Sequence, residues 1–219
     1  TSSSETDANS YITASISPSG LALVLVSVYS NAGTAANTPT LSGAGMTWVE
    51  IVNNPSVDDN KNKITLFRSL AASPGSGALT IDFAGQTQNR CHWSITEFTN
   101  VNTTGTNGSG AIVQNVVNDL LGGTSFTVTL SAFENTANAT YGTMSGSDNV
   151  AITPGTGFTE LGEADGPSFG SIESEWRDDN DTSVDWSFGS KDNITGIAVE
   201  IRFSLGIVGW KSLLGVGQG

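Results

Sequence analysis

Positive charge is scarce in this chain. Lys and Arg together number 8 against 21 Asp plus Glu, for a net charge of −13 over 219 residues. Nucleic acid is bound by cationic groups that displace counterions from its phosphates, and a few scattered cations in so acidic a chain build no such surface. The same shortage excludes the anionic face of a membrane. No apolar run approaches the roughly 20 residues that span a bilayer. Cysteine and histidine occur once each, side by side at Cys91 and His92. A single cysteine closes no intramolecular disulfide, and without a second Cys or His there is no zinc site of the usual tetrahedral kind. Charged residues of both signs reach only 13%, well below the quarter or so usual in a globular domain, which argues against helices with Glu, Lys and Arg on their outer faces.

What is present points to strands. Gly is abundant at 26, with many Thr, Ser and Asn beside it, and alternation of period two recurs along the chain. Leu79, Ile81 and Phe83 alternate with Thr80 and Asp82; Phe126, Val128 and Leu130 alternate with Ser125, Thr127 and Thr129. Val184, Trp186 and Phe188 alternate with Asp185 and Ser187; Ile197, Val199, Ile201 and Phe203 alternate with Ala198, Glu200 and Arg202. Such strands place one face in a core and one in water, as in antiparallel sheets. Residues 21–29 (LALVLVSVY) are continuously apolar and read as a central strand covered on both faces. Helical periodicity is confined to a turn or two at 116–121 (VVNDLL). Turn chemistry at Pro18-Ser-Gly20, Ser73-Pro-Gly-Ser-Gly77, Pro154-Gly-Thr-Gly157 and Gly166-Pro167 separates about a dozen strands. The expected fold is all-β: one antiparallel β-sandwich of jelly-roll type over residues 9–203, preceded by a polar, mobile arm at 1–8 and followed by an apolar, Gly-rich tail at 204–219. The longest irregular stretch, 99–110, has the length of a functional loop.

Three clusters carry chemistry-bearing residues. In a strand at 91–98, Cys91 and His92 point to opposite faces, so they form no nucleophile–base pair; Cys91 reads as a core residue beside Trp93, and His92 as solvent-facing. Glu173 and Glu175 share a strand face with Cβ atoms about 7 Å apart, a spacing compatible with a glycosidase pair. With Ile172 and Trp176 turned inward, their simplest reading is a solvated outer face. Asp178, Asp179, Asn180 and Asp181 form an oxygen-rich turn, and Asp58-Asp59-Asn60 a smaller one. Calcium is the ion such ligands would take, but acidic hairpin turns occur without metal, so no metal and no cofactor is expected. No phosphate-binding Gly loop and no Gly-x-Ser-x-Gly elbow occurs, and no catalytic residue is assigned. Asn102, Asn107, Asn138, Asn180 and Asn193 stand in Asn-x-Ser/Thr sequons.

Thr38-Pro-Thr-Leu-Ser-Gly-Ala-Gly-Met-Thr-Trp48, the strand at 91–98 with the loop through Thr-Gly-Thr-Asn-Gly-Ser-Gly-Ala-Ile-Val-Gln114, and Ile197-Ala-Val-Glu-Ile201 together resemble β-sandwich proteins of tailed bacteriophages, found also as modules of bacterial surface proteins. The resemblance covers roughly residues 10–203. It implies a non-enzymatic structural or decoration subunit on a virion surface or in an extracellular assembly, whose partners are its own or other subunits. The alternative partner is a surface glycan, for a carbohydrate-binding or adhesive module. A glycosidase using Glu173 and Glu175 is a third reading. Trp93, Trp176 and Trp186 fall on apolar strand faces, which favours core over a sugar platform. The tail lies outside the resemblance. Its Ile207, Val208, Trp210, Leu213, Leu214 and Val216 would make an exposed apolar patch if free, and such patches mark interaction sites. The tail is therefore expected to pack on another subunit with Trp210 as anchor, or, failing that, to close an edge of its own sheet.

Overall fold

The computed structural model describes residues 1–58, 60–166 and 169–204, together with the backbone of 209–212. Among these the only helical element is a 3₁₀ turn at Ser109–Ala111; the rest of the regular structure is strand. In chain order the strands are β1 (Ser2–Ser4), β2 (Ser10–Ile12), β3 (Leu23–Ala32), β4 (Thr40–Gly43), β5 (Val49–Pro55), β6 (Asn62–Ser69), β7 (Leu79–Asp82) and β8 (Gln88–Thr99). After the 3₁₀ turn come β9 (Ile112–Thr129), β10 (Ala139–Gly146), β11 (Ile152–Thr153), β12 (Thr159–Asp165), β13 (Ser171–Arg177), β14 (Ser183–Ile201) and β15 (Gly209–Ser212).

The strands form an antiparallel β-sandwich. One large sheet runs β1-β8-β3-β6-β5, with β15 also on β8; the other runs β11-β14-β10-β13-β12, with β9 on β14; a small sheet runs β2-β7-β4. The apolar run at 21–29 is the centre of the first sheet, as expected: β3 lies between β8 and β6, and both its faces are buried. Leu23 and Leu25 face the second large sheet, meeting Tyr141, Trp176, Ile197, Val199 and Ile201. Val24, Val26 and Val28 point the other way, onto Tyr11, Leu79, Ile81 and Phe83 of the small sheet's side, with Cys91, Trp93 and Ile95. Each such aliphatic side chain, fully buried, contributes about 1.5–3 kcal/mol.

A third core lies on the far side of the second large sheet. The strands β9 and β14 pair over nearly their whole lengths, from Ile201↔Ile112 to Ser183↔Thr129, with a register break between Ser187 and Lys191. There the ribbon folds back, and Phe126, Val128, Val184 and Trp186 cover Met144, Ile194 and Ala198 of its own sheet. Two glycines make room. A Cβ at Gly196 would stand 2.6 Å from the Phe126 ring, and one at Gly142 would meet Val184 Cγ1 and stand 2.8 Å from the Trp186 indole. Phe126 and Trp186 stack with centroids 5.9 Å apart.

Three expectations are corrected here. The 116–121 segment is part of β9, not a helix: its backbone pairs with β14 in an extended ribbon, and this tertiary pairing overrides the local pattern. The arm at 1–8 is not free, because Ser2–Ser4 pair with Cys91–Trp93 at the edge of β8. Ala198 and Glu200 do not face water; the folded ribbon buries them, and the Glu200 carboxylate accepts hydrogen bonds from Asn138 Nδ2 at 2.5 Å and Gln114 Nε2 at 2.7 Å.

Candidate functional site

The sequence of β13, Ser171-Ile-Glu-Ser-Glu-Trp-Arg177, alternates between two environments. Trp176 enters the core between the large sheets, and Ser174 joins a hydroxyl seam there. In that seam Tyr141 donates to Ser174 Oγ at 3.2 Å, and Thr143 Oγ1 lies 2.9 Å from both Ser27 Oγ and the Glu173 carbonyl. Glu173 and Glu175 project to the other face, opposite Met144 and Gly142 of β10. On the neighbouring strand they face Glu163 and Glu160. A bulge between Glu160 and Gly162 gives these two residues, three apart in sequence, the same face.

Four carboxylates thus share one patch, and directly opposed like charges are unfavourable. The expectation of a solvated face fails for two of them. Glu173 and Glu175 are fully buried, whereas Glu160 is exposed and Glu163 half-buried. The reason is the folded ribbon, which brings Trp186 and the 154–158 turn over the patch. Trp186 Nε1 donates to Glu173 Oε2 at 2.5 Å, the Gly155 N–H to Glu175 Oε2 at 2.9 Å, and the Ile152 N–H to Glu163 Oε1 at 2.6 Å. The second oxygens of Glu173 and Glu175 have no hydrogen-bond partner. Burial pushes the Glu173 carboxyl well above the usual range, with the Glu175 charge adding to the effect and the indole N–H opposing it. Glu175 is pushed up to about 8, by burial first and by Asp185 as well, against the Gly155 N–H. Glu163 is raised by burial too. The fold therefore favours the neutral, protonated form of Glu173 and Glu175. Neither has surface from which to reach a sugar.

Cys91 and His92 diverge as expected. Cys91 sits in the core beneath the small sheet, its thiol pushed far up by burial. His92 is the second correction at this level: it is completely buried, not solvent-facing. Its face of β8, with Ser94 and Thr96, reads as polar because it belongs to the hydroxyl-rich part of the inter-sheet core. Its Nε2 lies 3.0 Å from Glu5 Oε1, and Tyr29 stands edge-on at 5.4 Å. Burial lowers the imidazole pKa, and the Glu5 carboxylate opposes that shift. The Glu5 carboxylate can only accept, so Nε2 is the ring nitrogen that donates to it.

In the 178–181 turn the carboxylates face a guanidinium. Arg177 donates to both Asp179 oxygens at 2.5 Å and to Asp181 Oδ2 at 2.9 Å. Asp181 Oδ1 accepts from the Ser183 N–H, and Asn180 takes the left-handed turn position at φ 54°. Arg177 holds Asp179 below the usual carboxylate range. Among the described residues, no group of three or more His, Cys, Asp or Glu side chains is arranged to hold a metal. Asp59 lies outside the described residues.

Of the proposed assembly residues, Ile207, Val208, Leu213, Leu214 and Val216 also lie outside them. The backbone of Gly209–Ser212, which includes Trp210, runs antiparallel to Thr96–Thr99 of the same chain, beyond β1 on the edge of β8. Trp93, Trp176 and Trp186 are buried, and Trp48 is partly buried with its indole donating to Gly43 O at 3.2 Å. The exposed Phe169 lies under the Arg90 guanidinium at 5.0 Å.

Sequence reading missed Glu5 as the partner of His92 and the ribbon that covers Glu173 and Glu175. The signal for the ribbon was present: Gly142 and Gly196 interrupt otherwise filled strands, and glycine within a strand marks a close approach. No protein-family model matches this chain, and no curated protein or solved structure matches it.

Proposed function

We propose that this chain is a non-enzymatic structural or decoration subunit of a virion or another extracellular assembly. One observation supports the reading above the others: the outer edge of β9. Among the described residues β9 pairs with β14 alone. It carries no Lys, Arg or Pro and a single acid, Asp119, over Ile112–Thr129. Natural edges are usually blunted by charge or proline. Val117, Leu120 and Leu121 are exposed along this one, Leu121 at 59%. Two copies that each carry −13 approach most readily where charge is thinnest. The apolar tail at 204–219 is the second candidate contact, although the backbone of Gly209–Ser212 pairs with β8 of its own chain.

The test is light scattering of the intact chain over a concentration series, beside a Val117→Lys/Leu121→Lys variant and a chain lacking 205–219. The expected result is a higher-order species that the double variant dissociates without lowering its melting temperature. A wild-type chain that stays monomeric at every concentration overturns the assembly reading. Loss of assembly on tail deletion alone assigns the contact to the tail instead of β9. The sugar-binding alternative rests on a different feature, the cleft beside Arg68.

A further inference from the structure

An open cleft of about 270 Å³ lies between β5, β6 and the start of β9, lined by Glu50, Ile51, Arg68, Ser109, Ile112, Val113 and Asn115. Its volume is just below the usual range for small-molecule sites, so it fits a ligand the size of a single sugar. The long 99–110 loop helps to build it. Asn102 Oδ1 accepts from both the N–H and the hydroxyl of Thr104, the Thr106 N–H donates to Ser109 Oγ, and Gly108 caps the 3₁₀ turn in a left-handed conformation. Arg68 ties that loop to β6: its Nη1 donates to the carbonyls of Thr106 and Asn107, at 3.1 and 2.5 Å.

Those bonds fix the guanidinium, and among the described residues its other edge makes no hydrogen bond. No ion pair joins Arg68 to an acid among the described residues, and its pKa is lowered by burial with no carboxylate opposing the shift. This contrasts with Arg177, which holds Asp179 and Asp181. A half-buried cation without a counter-ion is unusual in a chain of net charge −13. A guanidinium fork matches a planar carboxylate in two parallel hydrogen bonds. The remaining lining suits a polyol. The Asn115 amide and the Ser109 hydroxyl both donate and accept, Glu50 accepts, and Ile51, Ile112 and Val113 offer an aliphatic wall to C–H groups. There is no aromatic ring for a base and no second cation for a phosphate.

We propose that this cleft binds a small sugar acid, with Arg68 on the carboxylate and Ser109 and Asn115 on the hydroxyls. All its residues belong to one chain, and those on β9 (Ile112, Val113 and Asn115) precede the exposed Val117–Leu121 stretch offered for assembly, so the titration is read on the monomer and the assembly test separately. The probe is D-glucuronate, titrated into the intact protein by heteronuclear NMR with D-glucose as neutral control. Glucuronate is expected to saturate and to shift the amides of Arg68, Ser109 and Asn115, with glucose at least about tenfold weaker, the loss of one charge-assisted hydrogen-bonded pair. Arg68→Lys should weaken glucuronate by about tenfold, since lysine lacks the fork. Arg68 also supports the loop, so two further variants leave it in place. Asn115→Asp should weaken glucuronate, and Glu50→Gln, which removes a like charge, should tighten it. Equal affinity for glucose and glucuronate, no saturable shift with either, or binding indifferent to both Asn115→Asp and Glu50→Gln overturns the proposal.

Discussion

The indole of Trp186 donates to the buried carboxyl of Glu173 at 2.5 Å, across the interface between the folded ribbon and the sheet beneath it. That contact links two segments that sequence alone treats as independent strands. It also converts a candidate catalytic acid into part of a packing interface, with Phe126 stacked on the same indole. The ribbon is held by apolar contact over Gly142 and Gly196, and by excluding water from Glu173 and Glu175 it raises their pKa values.

Glu173→Gln keeps an oxygen to accept the Trp186 N–H and removes the ionisable group. Stability at pH 8–9 should rise by about 1–3 kcal/mol, because the fold no longer has to hold a proton that the unfolded chain releases above pH 4.5. Denaturant unfolding at that pH checks this. A loss of stability would mean that the carboxylate is charged and compensated in the native protein.

The pH dependence has a defined sign. The folded pKa of Glu175 is about 8, above its unfolded value of 4.5, so the folded state holds the extra proton between these limits. The stability it contributes is full below pH 4.5 and falls by up to about 1.4 kcal/mol per pH unit until it is lost above pH 8. Glu173 acts in the same direction. His92, whose pKa is lowered by burial, acts oppositely: its contribution is present above 6.5 and is lost on acidification. The melting temperature should therefore decline from mildly acid to pH 8, and Glu175→Gln should flatten that decline. An unchanged slope in the variant would remove Glu175 as its source.

Gly142→Ala should cost about 1–3 kcal/mol, the usual penalty of overpacking, because its Cβ would meet Val184 and Trp186. Tryptophan fluorescence should shift to the red as the ribbon lifts. Adding Val184→Ala, which vacates the nearest contact, should recover part of the loss. A Gly142→Ala protein as stable as the parent would show that the ribbon is not seated there.

Much of the sandwich was legible because period-two patterns at 79–83, 125–130, 184–188 and 197–203 each specify a buried face, and the apolar residues of those faces are buried, with Phe188 partly so. What could not be read was the covering of the opposite faces. Polar residues at Glu173, Glu175 and Glu200 look solvated in a strand, yet a second layer of the same sheet lies over them. His92 escaped for a related reason. A polar strand face reads as outer unless one knows that Ser27, Thr143 and Ser174 across the interface satisfy one another. Such partners lie 30 or more residues apart, beyond any local pattern.

Metal removal should have little effect. Of the oxygens that calcium would use at 178–181, those of Asp179 and Asp181 are bound to Arg177 and the Ser183 N–H. A chelator should leave the melting temperature within about 2–4 °C, the shift that 1 kcal/mol gives in a domain of this size. Arg177→Ala, by contrast, should loosen the turn and lower it. A chelator effect larger than that of Arg177→Ala would reopen the turn as a calcium site.

The arm gives the last prediction. Glu5 lies just beyond β1 and accepts from His92, a residue with no access to water. Its other oxygen is 3.9 Å from Arg90 Nε. The hydroxyl of Thr1 also donates to the Glu163 carbonyl at 2.7 Å, so the arm bridges the edges of both large sheets. Removing the Glu5 carboxylate leaves a buried ring nitrogen without its partner, which costs about 1–3 kcal/mol. That cost falls on an element of three strand residues, which can detach without unfolding the sandwich. Glu5→Ala should therefore speed hydrogen exchange at the Ser2–Ser4 amides, and at those of Cys91–Trp93 that point to β1, by about tenfold or more, since 1.4 kcal/mol of local opening corresponds to a factor of ten. Amides in β3 and β6, inside the sheet, should keep their protection. His92→Phe should make the Glu5→Ala change nearly silent, because a phenyl ring needs no acceptor. If protection fell equally across β1, β3 and β6, Glu5 would be supporting the whole sandwich, and the arm could not open as a separate unit.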